Sequence, residues 1–283
     1  MTCANCGNTV DESAAYCGRC GHELLSAVGG TVIDSTSPED SSPTPVNALA
    51  PWRGGEVALG IVIIAVAITP VILLSAAAGE LAGPYGVAAQ VWAASNLMGL
   101  VILGVVWQFG LKHTNAMARG DLWGNLRLLG LNPPTTSPLW SAVLTLGALA
   151  ASLAATGIYS ALMRWLDAGL LIPPDIPADF AFPGAASAFT FQALAVWTPI
   201  TEEIFFRGFI FAGLASRLGI RGAMAGSAVV FSLFHMDPGV LVPIFITGLL
   251  LAWLYRRTGS LWPSIAAHAG QNSLALLAAI FVI

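Results

Sequence analysis

Seven apolar stretches, at about 57–78, 87–111, 139–163, 187–213, 222–236, 238–255 and 261–283, follow a polar opening segment. Most reach the ~20 residues that a helix needs to cross a ~30 Å hydrocarbon core. The fifth and sixth are short and are separated by Met236-Asp237-Pro238, which predicts a tight helical hairpin whose tip stops short of the far surface. The chain is 56% hydrophobic and 9% charged, where a soluble domain carries roughly 25% charged residues. The pattern therefore predicts an all-α polytopic membrane protein of about seven transmembrane helices. Its opening residues are cysteines and polar side chains, with no basic start followed by an apolar run, so no signal peptide is expected.

Charge sets the expected orientation. Arg53, Lys112, Arg119, Arg127, Arg217, Arg221, Arg256 and Arg257 precede the first stretch or fall in alternate loops, and basic loops stay in the cytoplasm. The other loops hold Glu80, Asp167, Asp175, Asp179 and Asp237, with only Arg164 against the pattern. A cytoplasmic N-terminus and an external C-terminus satisfy this bias. Trp52, Trp140, Trp165, Trp253 and Trp262 sit near stretch ends, where indoles favour the membrane interface. The first 50 residues carry six acidic residues against the single Arg19, which excludes a basic nucleic-acid-binding face there.

Residues 1–24 contain Cys3-Ala-Asn-Cys6-Gly and Cys17-Gly-Arg-Cys20-Gly. Two such knuckles present four thiolates to one tetrahedral Zn²⁺ at ~2.3 Å. The pattern resembles the short zinc ribbons at the ends of many prokaryotic membrane and regulatory proteins. A structural zinc on Cys3, Cys6, Cys17 and Cys20 is expected, with a protein partner as the ribbon's reason to exist. Two disulfides are the competing reading, disfavoured in a reducing cytoplasm. Residues 25–51, rich in Ser, Thr, Pro, Gly and Asp, predict a disordered tether. Residues 52–283 form the membrane domain.

Ionisable residues inside apolar helices are costly, by roughly 2.5–3.5 kcal/mol on insertion scales, and mark function. Three clusters qualify: Glu202, Glu203 and Arg207; then His235; then His268 with Asn272. Glu203 and Arg207 share a helix face in an order that suits pairing, while Glu202 points about 100° away. Phe231 and His235 share a face near the end of the fifth stretch, as do His268 and Asn272 in the last. Measured along each helix at ~1.5 Å per residue, all lie roughly 16–23 Å from the basic loops. One carboxylate is then neutralised by Arg207 and the other is available as a base. Lys112, His113, Asp121 and Arg127 fall in a long cytoplasmic loop and read as solvated, and Gly248 and Gly270 as points of close helix approach.

Glu-Glu-x-x-x-Arg, Phe-x-x-x-His and His-x-x-x-Asn, in that order on successive apolar helices over residues 187–283, resemble the CPBP family of intramembrane proteases, which includes the CAAX-prenyl endopeptidases. The resemblance implies an endopeptidase acting on a membrane-associated, CAAX-like peptide or protein. It implies that Glu202 activates water with help from His235, that His268 and Asn272 stabilise the oxyanion, and that Glu203 and Arg207 hold the site together. The family has also been described as metal-dependent, and Glu202, His235 and His268 include zinc-type donors. Asn272 fits an oxyanion donor better than a zinc ligand, which favours a metal-free glutamate mechanism. Two rival readings are a non-catalytic membrane partner, such as an immunity or regulatory protein working through the ribbon, and a proton or ion pathway built on buried Glu and His.

Overall fold

The structure is a computed structural model that describes Thr2, residues 50–112, Thr114, Met117 and residues 120–281. The four cysteines, most of the tether, His113 and Arg119 lie outside the described residues, so the expected ribbon and its zinc lie there too. Among the described residues all regular elements are helical.

α1 (Gly54–Leu81) and α2 (Gly86–Val105) form an antiparallel hairpin, and α2 runs on into a wider π-helical turn, Val106–Leu111. The two chains touch backbone to backbone: a Cβ on Gly79 would stand 2.8 Å from the Gly86 carbonyl oxygen. α1 buries Val57, Gly60, Ile64, Val71, Ser75 and Gly79, one stripe at steps of three, four and seven. Its remaining apolar residues, such as Val62, Val66 and Leu73, face outward. Short α3 (Leu122–Leu128) is capped by Asp121, whose side chain accepts from the Gly124 N–H. α4 (Pro138–Trp165) starts at Ser137, whose hydroxyl oxygen accepts from the Trp140 N–H, with proline at the first helical position.

The next part is one long helical run with two wide turns in it. It comprises α5 (Ser187–Phe191), a π-helical segment Gln192–Trp197, α6 (Thr198–Glu203), a second π-helical segment Ile204–Phe211 and the start of α7 (Ala212–Leu233). Within α7, Gly219 adopts φ 65° and ψ 174°, a backbone state open to glycine. The chain breaks direction there, close to the division between the fourth and fifth apolar stretches. α8 (Leu241–Thr258) ends on a left-handed Gly259, and α9 (Leu261–Phe281) follows at once.

Among the described residues, four helical stretches are long and apolar enough to cross a membrane: Gly54–Leu81, Gly83–Leu111, Pro138–Trp165 and Leu241–Thr258. The protein is thus an integral membrane protein, all-helical among its described residues. Helices also occupy the three other predicted stretches. The hairpin between α7 and α8 has a longer tip than the sequence suggests. α7 stops at Leu233, Met236 takes φ 52°, and the Asp237 carboxylate accepts from the Gly239 N–H at 2.8 Å.

The core is aromatic. Phe205, Phe209, Phe211 and Tyr255 are fully buried, and the Trp52 Nε1–H donates to the Phe209 carbonyl at 2.8 Å. Trp52 is 2% exposed and is a core residue, contrary to its expected place at the interface; its indole finds a partner inside, so it need not seek headgroups. Trp140, Trp165, Trp253 and Trp262 are exposed. Gly248 permits the close approach anticipated for it, since a Cβ there would stand 3.0 Å from the Ala228 Cβ across the α7–α8 hairpin. The stretch before α4 is tied to the α8–α9 turn, with Leu261 N–H donating to the Gly130 carbonyl at 2.8 Å and Thr135 N–H to the Thr258 carbonyl at 2.8 Å.

Candidate active site

α6 carries the two carboxylates between the two wide turns. Glu203 and Arg207 are both fully buried and pair at 2.7 Å, Arg207 Nη1 donating to Glu203 Oε1. The second guanidinium arm reaches α8, with Nη2 donating to the Gly248 carbonyl at 3.1 Å. The guanidinium carbon lies over the Phe231 ring, 4.5 Å from its centroid, a cation–π contact strengthened by exclusion of water.

His268 on α9 joins this pair from the side. Its Nδ1–H donates to the same Glu203 oxygen at 3.0 Å, and its Nε2 faces Glu202 Oε2 at 3.7 Å. A carboxylate only accepts, so the Nδ1 bond fixes where that proton sits and leaves Nε2 as the working nitrogen. His268 is 5% exposed and the Glu202 side chain 21%. The two neighbouring glutamates thus differ in setting: Glu203 is locked between a guanidinium and an imidazole, and Glu202 is partly exposed beside Nε2.

His235 lies just beyond the end of α7. Its Nδ1–H donates to the Phe231 carbonyl at 2.9 Å, which again leaves Nε2 free. The Phe231 ring meets His235 and His268 edge-on, with centroids 5.0 and 5.7 Å apart. One phenyl ring therefore contacts both imidazoles and the guanidinium, which brings the three sequence clusters into one place.

Asn272 has a task the sequence did not announce. Its Nδ2–H donates to the Leu194 carbonyl at 2.8 Å. Thr198 N–H bonds the Ala193 carbonyl, five residues back, so the residue next in line for Leu194 is Pro199, which has no N–H to give. The amide of Asn272 fills that gap, since an unpaired carbonyl inside a membrane protein is costly. Its second N–H and its oxygen are not engaged by this bond.

Sequence reasoning also missed a chain of small polar groups behind the site. Thr247, beside the carbonyl that holds Arg207, shares a 2.5 Å hydrogen bond with Ser152 on α4, and Ser152 donates to Gln271 Oε1 at 2.7 Å. With the Ser152 proton given to Gln271, Thr247 is the donor to Ser152. This chain ties α4 to α8 and α9 at the level of Arg207 and Asn272. The Pro199 signal was visible in the sequence; the Ser, Thr and Gln chain was not, because such residues are common in helices. Three buried polar atoms of this region have no partner among the described residues: Glu203 Oε2, Arg207 Nε and Trp197 Nε1.

A zinc ion here would need at least three converging donors. Among the described residues no three His, Cys, Asp or Glu side chains gather as ligands of one metal. Glu203 and His268 spend their facing atoms on each other. As arranged, the residues do not fit a metal centre.

Residues 184–274 match the family described as type II CAAX prenyl endopeptidase Rce1-like. The "Putative membrane peptidase YdiL" of Bacillus subtilis (strain 168) is 35% identical over 79 residues, which are 28% of this chain and 32% of that protein. The match thus spans about a third of the relative's length. No solved structure matches the chain significantly. The matched family segment contains all six site residues, from Glu202 to Asn272.

Proposed function

We propose that this protein is an intramembrane endopeptidase that hydrolyses a peptide bond of a membrane-associated, CAAX-like substrate by a metal-independent glutamate mechanism. The observation that carries the reading is the position of His268, bonded through Nδ1 to a buried Glu203–Arg207 pair and turned through Nε2 toward Glu202. The family match over residues 184–274 supports the reaction class.

In this mechanism Glu202 removes a proton from water as the oxygen attacks the scissile carbonyl carbon. The carbonyl π pair moves to oxygen, and the protonated His268 Nε2 with the spare Asn272 N–H donates to that oxyanion. When the oxyanion re-forms the carbonyl, the C–N bond breaks, and the proton held by Glu202 passes to the leaving nitrogen. His235 Nε2 assists by orienting the water. Glu203 and Arg207 do not touch substrate; they hold His268 in place.

The decisive experiment is Glu202→Gln, which keeps shape and hydrogen bonding but removes proton acceptance. Cleavage should fall by about 10²–10⁴ while thermal unfolding in detergent stays unchanged. A fully active Glu202→Gln protein would refute the assignment, and cleavage abolished by a chelator in protein lacking residues 1–30 would shift it to metal chemistry.

The reading extends to topology and to the N-terminus. The chain crosses the membrane seven times with its N-terminus in the cytoplasm, and the loops 112–137 and 166–186 lie on opposite sides. Labelling of single introduced cysteines that found both loops on one side would overturn this. Cys3, Cys6, Cys17 and Cys20 bind one structural zinc, and the ribbon docks a protein partner. Elemental analysis should find about one zinc per full chain, lost on replacing Cys3 and Cys6 by Ser.

A further inference from the structure

Residues 166–186, between α4 and α5, take no part in the chemistry above, yet their path crosses one end of the bundle. The segment is bounded by residues with left-handed backbone: Asp167 and Gly169 at φ 49° and 55°, and Gly184 at φ 56°. A Cβ at Gly169 or Gly184 would meet nothing within 4 Å, so glycine serves chain direction there and not packing.

Between these swivels the chain first lies against the α7–α8 tip. A Cβ on Gly239 would stand 2.6 Å from the Ile172 carbonyl oxygen and 3.0 Å from the Pro173 Cα. Gly239 belongs to the same turn as His235. Ala178–Phe180 then packs on α2. Phe182 follows, with its ring 6.4 Å from Tyr85 in the α1–α2 turn and 6.3 Å from Phe189, and its N–H donating to the buried Thr190 hydroxyl at 3.0 Å. The segment thus stretches from the tip that bears His235 to the α1–α2 turn. Glu202 lies some 18 Å below Thr190 along the helical run, at ~1.5 Å per residue.

Its attachments are weak by comparison with this reach. Among the described residues, the only hydrogen bond from 172–181 to another element is Arg164 Nη2 to Asp175 at 2.7 Å, and those side chains are 53% and 88% exposed. An exposed ion pair holds little; the rest is the Phe182 N–H bond to the Thr190 hydroxyl together with aromatic and van der Waals contact. A poorly bonded segment between two glycine swivels opens locally while the bundle below stays folded.

We propose that residues 169–184 are a strap that roofs the site and must lift to admit substrate. The proposal rests on the proposed site only in requiring that something reach His235, and its test does not read cleavage. His235→Cys is introduced into the full chain in membrane vesicles, and modification of the thiol at position 235 by a bulky maleimide is timed by peptide mass spectrometry, which separates it from the native cysteines. Adding Phe182→Ala should raise that rate about tenfold, the value of the lost aromatic contacts, and leave a thiol introduced at the exposed Leu166 unaffected. Asp175→Asn, which removes only the ion pair, should raise it about two- to fivefold and serves if Phe182→Ala does not fold. An unchanged rate at position 235 in the folded Phe182→Ala or Asp175→Asn protein would overturn the strap.

Discussion

α1 and the helical run around α6 are both apolar, but they are buried in opposite ways. α1 turns one narrow stripe to its neighbours and offers the rest, including Val66 at 69% exposure, to the surroundings. From Glu203 through Gly213, by contrast, every residue is buried. In α1 each apolar side chain is satisfied by lipid or protein alike, so the sequence needs only to be greasy. In the second region water and lipid are both excluded, and charges persist because they find each other. Hydropathy therefore singles out α1, α2, α4 and α8, and passes over the run through α6 and also α9, which together carry Glu202, Glu203, Arg207, His268 and Asn272. The less a helix looks like a membrane span, the more of the chemistry it carries here.

Arg207→Ala should break this contrast most severely. It would strip the buried Glu203 carboxylate of its guanidinium partner, and breaking a buried pair costs ~3–5 kcal/mol. Unfolding in detergent would show the loss, and lost cleavage would accompany lost stability, unlike Glu202→Gln. Gly99→Ala tests the join between the two regions, since a Cβ there would fall 2.1 Å from Trp197 Nε1 on the site-bearing run. Overpacking of that kind costs about 1–3 kcal/mol, and the same substitution at Gly104, where a Cβ meets nothing within 4 Å, should be silent. Ser152→Ala sharpens the comparison further: it removes one buried and one part-buried hydrogen bond behind the site, each worth ~0.6 kcal/mol on average in a membrane protein, and should lower stability modestly. Val66→Leu on the outward face of α1 should stay within about 0.5 kcal/mol. A large effect there would mean that α1 packs against a partner.

Much of this was legible beforehand, for definable reasons. The i, i+4 spacing of Glu203 and Arg207 survives even though the helix widens after Ile204, because a 2.7 Å pair tolerates a small change in twist. The convergence of Glu202, His235 and His268 could be argued from depth alone, since helices in a bilayer share one axis. The bond from His268 to Glu203 could not, because azimuth between separate helices is set by packing and leaves no mark in either sequence. Asn272 shows a different limit. Its residue type suits both an oxyanion and an orphaned carbonyl, and only Pro199 hints at the second use. The strap was passed over because its prolines and mixed polarity read as plain loop.

The wide turn Gln192–Trp197 carries one further consequence. A π-helical turn holds an additional residue within a helix that is otherwise α, so it acts as a phase shift for everything downstream. Glu202 faces His268 because of how many residues precede it on that run, and not only because of what they are. Removing one residue between Gln192 and Trp197 would let the helix close to an ordinary turn with both carboxylates near their present azimuth, whereas removing one from the ordinary turn after Trp197 would rotate both by about 100°, carrying them past His268 with every catalytic side chain still present. In a chain of this kind, the register of a helix is as much a part of the active site as the glutamate itself.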